Sequence, residues 1–179
     1  MKLKSLLMPV ITICVSALLL FVVSAATAAS LETNAKEELN SMMASLLPGS
    51  ENFEQEVYDG EDESIVAVYK GETGYVIQTS TYGYAGDVVL LVGVDNDGNV
   101  TGLVVREMTE TYGLGRNALT DMEFLSQFLG TAGDAEIGNN VDALSGATVT
   151  SKAVARGVNA AVAYVTGADT TSSATTWGG

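Results

Sequence analysis

The sequence predicts an α+β fold: a small, mostly antiparallel sheet with helices packed on it, preceded by one N-terminal transmembrane helix. Three observations lead there. Runs rich in β-branched residues follow one another between residues 64 and 106, with glycine-bearing turns between them. Apolar residues recur at helical spacing on either side of that region. Residues 5–30 carry no charge at all.

That uncharged stretch is long enough to cross a bilayer, for which about 20 mainly apolar residues suffice. Lys2 and Lys4 ahead of it place the N-terminus in the cytoplasm and everything after residue 30 outside. Ala26-Thr27-Ala28 also fits a signal-peptide cleavage site. The apolar run from Leu6 to Val23 exceeds the usual signal core, which favours a retained membrane anchor. Both readings put the folded domain on the extracytoplasmic side of the cell membrane. Cys14, the only cysteine, falls inside this segment and reads as a small membrane-facing residue. One cysteine and no histidine speak against zinc, haem and iron–sulfur chemistry, and no metal site is expected. Beyond the leader, 22 acidic residues stand against six basic ones within a net charge of −14 for the whole chain. Nucleic-acid phosphates repel such a domain, so nucleic acid is excluded as a partner. The organisation expected is an anchor over 1–30, a folded domain over 31–167 and a polar, flexible tail over 168–179.

Taken in order, Leu31 to Leu47 reads as an amphipathic helix. Its stripe is Leu39, Met42, Met43, Leu46 and Leu47, with an Asn34/Glu37 capping box and a stop at Pro48-Gly49. The acidic residues of 50–63 read as a solvated loop. Strands are expected over Ser64–Lys70, Tyr75–Ser80, Asp87–Val94 and Asn99–Arg106. The last two form a hairpin across Asp95-Asn96-Asp97-Gly98, a turn and not a calcium loop, since the later ligands are missing. Arg116 to Leu129 has Leu119, Met122, Leu125, Phe128 and Leu129 at helical spacing, closed by Gly130. Its Phe124 and Phe128 read as core. Thr131 to Val141 is a polar loop, and a last helix carries apolar residues at 154, 158, 161, 162 and 165.

Just ahead of that helix lies Asp142-Ala143-Leu144-Ser145-Gly146-Ala147-Thr148. Small residues there let a bulky group approach the backbone, and Gly146 can take dihedrals closed to other residues. The spacing sets Thr148 about one turn before the helix, with Thr150 or Ser151 as N-cap. Free N–H groups and the positive end of the helix dipole favour a phosphate at such a place. Ordinary helix capping explains the same residues. Thr148 has no base of its own, since the chain contains no histidine.

Asp142, Ser145, Gly146, Ala147 and Thr148 match every defined position of Asp-x-x-(Ser/Thr)-Gly-Ala-(Thr/Ser). The stretch thereby resembles the flavinylation motif of the FMN-binding domain family. The resemblance implies that Thr148 carries FMN covalently through a phosphoester bond, made by a separate magnesium-dependent flavin transferase with FAD as donor. A second segment, Glu110-Thr111-Tyr112-Gly113-Leu114-Gly115, is similar to that family's Glu-Thr-Pro-Gly-Leu-Gly, with Tyr112 in place of proline. It implies that Thr111, Gly113, Leu114 and Gly115 line the flavin. Anchor, Met/Leu helix, Gly83-Tyr84-Ala85-Gly86, and the two motifs follow the order found in the G subunits of Rnf-type ion-translocating oxidoreductase complexes. That likeness implies an electron-transfer subunit with no catalysis of its own, partnered by other membrane subunits, in complexes that pass electrons between ferredoxin and NAD. Two other readings stand beside it: a freestanding, tethered or secreted flavinylated relay, and an anchored non-redox binding module whose Ser-Gly-Ala-Thr merely caps a helix.

Overall fold

The structure is a computed structural model that describes residues 15–19, 21, 35–108 and 120–168. The chain divides into two units, Met1–Ser41 and Met42–Gly179. In the first, the backbone is helical at 15–19, and Val15, Leu18, Leu19 and Phe21 are exposed. Most of the expected anchor lies outside the described residues. No helix among those described is long and apolar enough to cross a membrane.

A second helical run, α1, covers 35–46. Its proposed capping residue Asn34 and the start of the expected helix lie outside the described residues. Met43, Leu46 and Leu47 are buried as the stripe requires, and Gly49 ends the segment with φ +89°.

Five antiparallel strands then form one sheet in the order β1-β2-β3-β4-β5, a plain meander. They are β1 (Glu54–Glu56), β2 (Ile65–Lys70), β3 (Gly74–Tyr82), β4 (Asp87–Asp95) and β5 (Val100–Met108). The strand β1 corrects the expectation of a loop over 50–63. It is an exposed edge with no apolar alternation, so its sequence carries no strand signal. Pairing with β2 makes it a strand: Glu54 stands opposite Lys70, and Lys70 Nζ lies 3.5 Å from Glu56 Oε1. The β4–β5 hairpin forms where expected. The Asp95 carboxylate accepts from the backbone N–H groups of Asp97 and Asn99 at 3.0 and 2.7 Å, and Gly98 takes φ +86°.

The helix α2 (Met122–Ser126) covers the middle of the 116–129 predicted; residue 120 is helical, Asp121 interrupts the helix, and it ends at Ser126 rather than 129. Asp121 caps it, accepting from the N–H groups of Glu123 and Phe124, and residues 109–119 lie outside the described ones. Its buried side is Phe124, Leu125 and Phe128, while Met122 and Leu129 are exposed, contrary to the expected stripe. The break at Asp121 restarts the helical phase at residue 122, which is why Met122 and Leu129 leave the buried side. Phe124 and Phe128 are core, their rings edge to face at 5.3 Å.

The long helix α3 (Thr148–Thr166) packs on one sheet face. There Ala153, Val154, Val158, Ala161 and Val162 share a core with Val68, Ile77, Val88, Leu90, Val92 and Val94. Burial of these side chains is the main stabilising contribution, about 1.5–3 kcal/mol for each large one. On the opposite face Gly93 and Gly102 pair across β4 and β5. A Cβ on Gly93 would run into the Leu46 carbonyl, and one on Gly102 would lie 2.9 Å from Leu46 Cα. Two bare residues therefore seat the end of α1, and Thr101 Oγ1 donates to the Leu46 carbonyl at 2.6 Å.

Candidate functional site

The motif folds as a turn that feeds α3. Asp142 is held from behind, its N–H donating to Gln127 Oε1 at 2.7 Å. Leu144 to Ala147 form a β-turn closed by the Ala147 N–H on the Leu144 carbonyl at 2.9 Å. Gly146, third in that turn, takes φ +79°, the left-handed value a type II turn demands there. Ala147 is buried, whereas Asp142, Ser145, Gly146 and Thr148 are exposed.

The helix begins earlier than the sequence suggests. Ala147 is its N-cap and Thr148 its first residue, so neither Thr150 nor Ser151 caps it. Both lie buried in the first turn. Ser151 instead looks back along the chain. Its N–H and its hydroxyl both donate to the Ala147 carbonyl, at 2.8 and 2.9 Å, and the hydroxyl accepts from the Leu144 N–H at 3.3 Å. Gly146 turns the chain into helical dihedrals ahead of the buried hydroxyls, and Ser151 then pins turn to helix.

Thr148 thus presents a hydroxyl to solvent at the start of a 19-residue helix. Ala147 offers no side-chain cap, and no acid lies in the first turn. The local field is that of the positive helix end, with no acid in the helix's first turn. Lys152, one turn on and exposed, adds positive charge on nearly the same side. These features fit a phosphate group esterified at Thr148: access, the positive end of a helix dipole and a nearby cation. They do not activate the hydroxyl, because the first turn holds no acid and the chain no histidine.

The structure brings Asp142, Ser145, Gly146, Ala147 and Thr148 together in one turn–helix element. Thr111, Gly113, Leu114 and Gly115 lie outside the described residues. A recess of about 520 Å³ at the β1–β2 edge, lined by residues 55–58 and 65–67, includes none of the motif residues.

Two neighbours of the site escaped the sequence reading. Gln127 tethers Asp142 across fifteen residues. The end of β3 docks on α3, with Thr81 Oγ1 donating to the Ala153 carbonyl at 2.8 Å and Arg156 Nη2 to the Tyr82 carbonyl at 2.8 Å. Such partners are set by packing at long range and leave no local pattern. The far end of α3 is built differently. Tyr164 meets Tyr58 and Tyr75 edge to face and donates to Glu56 Oε2 at 3.2 Å. Burial, then the Glu56 carboxylate, raises its phenol above the ordinary value.

Residues 83–163 match the family described as "FMN-binding domain". The G subunit of an ion-translocating oxidoreductase complex from Methanosarcina acetivorans is 34% identical over 171 residues, covering 87% of this chain and 90% of the relative. The G subunit of a Na(+)-translocating ferredoxin:NAD(+) oxidoreductase complex from Acetobacterium woodii is 32% identical over 183 residues, covering 81% and 87%. The G subunit of a proton-translocating ferredoxin:NAD(+) oxidoreductase complex from Clostridium ljungdahlii is 41% identical over 99 residues, about half of each chain.

Proposed function

The chain belongs to the family of G subunits of ion-translocating oxidoreductase complexes, and from that premise we propose that it is an electron-transfer subunit carrying FMN covalently on Thr148. The observation that carries the choice of residue is the exposed Thr148 hydroxyl at an uncapped helix start, directly after a left-handed glycine turn. Flavin bound there supplies the electron-carrying chemistry.

The chain's own residues hold and place the group. The Thr148 oxygen would take the place of AMP on the flavin-side phosphate of FAD: the phosphoester forms as the pyrophosphate bond breaks, AMP leaves, and the threonine proton passes to a base that the flavin transferase supplies. Backbone N–H groups of the first turn and Lys152 balance the phosphate charge. Gly146 and Ser145 leave the approach open. Thr111, Gly113, Leu114 and Gly115 complete the flavin site from the β5–α2 connection. Covalent attachment suits a domain outside the cytoplasm, where a reversibly bound flavin would be lost to dilution. Residues 1–30 anchor the domain to the membrane, beside the other subunits of the complex.

Intact mass and in-gel flavin fluorescence after denaturation test this reading on full-length protein co-expressed with the transferase. The expected result is a mass gain of one FMN less one water, absent in Thr148→Val. An unmodified mass beside an active transferase would sink the proposal. Alkaline washing of membranes tests the anchor: the chain stays with the pellet, and its release into the wash would refute the anchor.

A further inference from the structure

We propose that Trp177 seats in the recess at the β1–β2 edge, so that the chain's own C-terminal segment clasps the open edge of the sheet. The recess arises where two strands part. β1 pairs with β2 from Glu54 opposite Lys70 to Glu56 opposite Val68, and among the described residues that pairing stops there. Ile65 and Ala67 pair with β3 on their other side, at Thr79 and Gln78, and Val66 bulges between them. The gap left is about 520 Å³, lined by residues 55–58 and 65–67. Val57 on one wall is 93% exposed and Val66 on the other 53%. An open strand edge with two bared valines invites association unless something covers it.

The occupant follows from where α3 ends. Tyr164, in its last turn, touches two residues of the recess wall. Its ring meets Tyr58 edge to face at 5.9 Å, and its hydroxyl donates to Glu56 Oε2 at 3.2 Å. Gly167 then turns the chain out of the helix with φ +69°. Residues 169–179 lie outside the described ones, but the point from which they start is therefore beside the recess. Trp177 stands nine residues past Ala168, a reach of about 30 Å when extended. From Thr170 on the segment has no charged side chain, and Trp177 is its one bulky apolar residue. Glu54, Glu56 and Asp59 surround the recess in a chain of net charge −14, so a second acidic copy meets repulsion there and this segment does not. Tethering also gives it an effective concentration on the order of millimolar, which a free partner has to exceed. A buried indole wants apolar neighbours and an acceptor for its N–H. Val57 and Val66 supply the first, and the Gln55 side chain supplies the second.

Trp177 is the only tryptophan in the chain, so its emission reports the seat directly. The experiment uses the full-length chain in detergent, made without the transferase so that no flavin absorbs the emission. The samples are wild type, Val66→Lys and, as control, Met122→Lys at an exposed position on α2. The expected result is a blue-shifted emission in wild type and Met122→Lys, quenched by acrylamide several-fold less than free tryptophanamide. Val66→Lys should show a water-like emission and full quenching. Amide exchange gives a second reading: Trp177→Ser speeds exchange at residues 65–67 several-fold and leaves β4 unchanged. Should Val66→Lys fail to fold, that variant decides alone. A water-like emission in wild type, or exchange at 65–67 indifferent to Trp177→Ser, would overturn the proposal. So does a blue shift that survives Val66→Lys, since it then arises elsewhere, the detergent micelle included. A blue shift lost on diluting the protein would assign the recess to another copy's segment and overturn the seat within one chain.

Discussion

The Thr79 hydroxyl lies 2.8 Å from the point where a side chain on Gly157 would begin, and it is buried without a hydrogen-bond partner among the described residues. The bare backbone of Gly157 lets α3 settle closely on β3, where Thr81 Oγ1 donates to the Ala153 carbonyl. Gly157→Ala gains about 1 kcal/mol of helix propensity. It meets Thr79 Oγ1 and, at 3.1 Å, Leu90 Cδ1, an overpacking that costs roughly 1–3 kcal/mol. A net loss of about 1 kcal/mol is expected in urea denaturation. Thr79→Ala in the same chain should cancel part of that loss, and additive effects of the two substitutions would refute the contact. Thr79→Val alone removes the unpaired hydroxyl and should stabilise by about 1 kcal/mol.

Ser151 ties the motif turn to the helix through Leu144 and Ala147. In Ser151→Ala the half-buried Leu144 N–H loses its partner, at about 1–2 kcal/mol. The sheet should remain intact, with amide exchange faster at residues 144–148 than in the wild-type protein. Unchanged exchange there would show that the turn stands without the serine.

Gly146 is asked for φ +79°. An alanine forced into that region costs about 1–2 kcal/mol. Gly146→Ala should either lose that much stability or swing the turn away from its type II form. If the turn swings, Thr148 moves relative to the transferase, and the flavin load measured by intact mass falls while circular dichroism stays that of a folded chain. Full loading at wild-type stability would contradict the turn geometry.

Asp95 gives the β4–β5 turn a pH dependence. Burial pushes its carboxyl up, but the hydrogen bonds from Asn99, Asp97 and Gly98 outweigh that and hold it below the ordinary value. A carboxyl lowered on folding adds stability that is fully present above its unfolded pKa, about 4. That stability is lost as the pH falls through the lower folded value. Thermal unfolding should therefore show a stability loss below about pH 4 that is shallower in Asp95→Asn. Identical acid profiles for the two proteins would rule the turn out as the acid-sensitive element.

Much of this was legible in the chain. The four longer strands, the Asp95–Gly98 turn and the helix after Ser145-Gly146-Ala147-Thr148 follow from local chemistry: β-branched runs, glycine at left-handed positions, apolar residues at helical spacing. The five motif residues found together in space are also close together in sequence, so their association needed no tertiary information. Less legible were β1, made a strand only by the free edge of β2, and the start of α2, set by the Asp121 cap.

Local chemistry was enough to point to the family and to single out Thr148 as the residue proposed for modification, because both readings reside in short motifs whose meaning is carried by neighbouring residues. Long-range packing fixed where the helix starts, which serine secures the turn, and how the end of β3 docks on α3. Each of these depends on contacts between residues far apart in the chain, such as Thr81 with Ala153 and Gln127 with Asp142. Contacts of that kind form only when the apolar face of α3 is buried on the sheet, and no short window of sequence contains both partners.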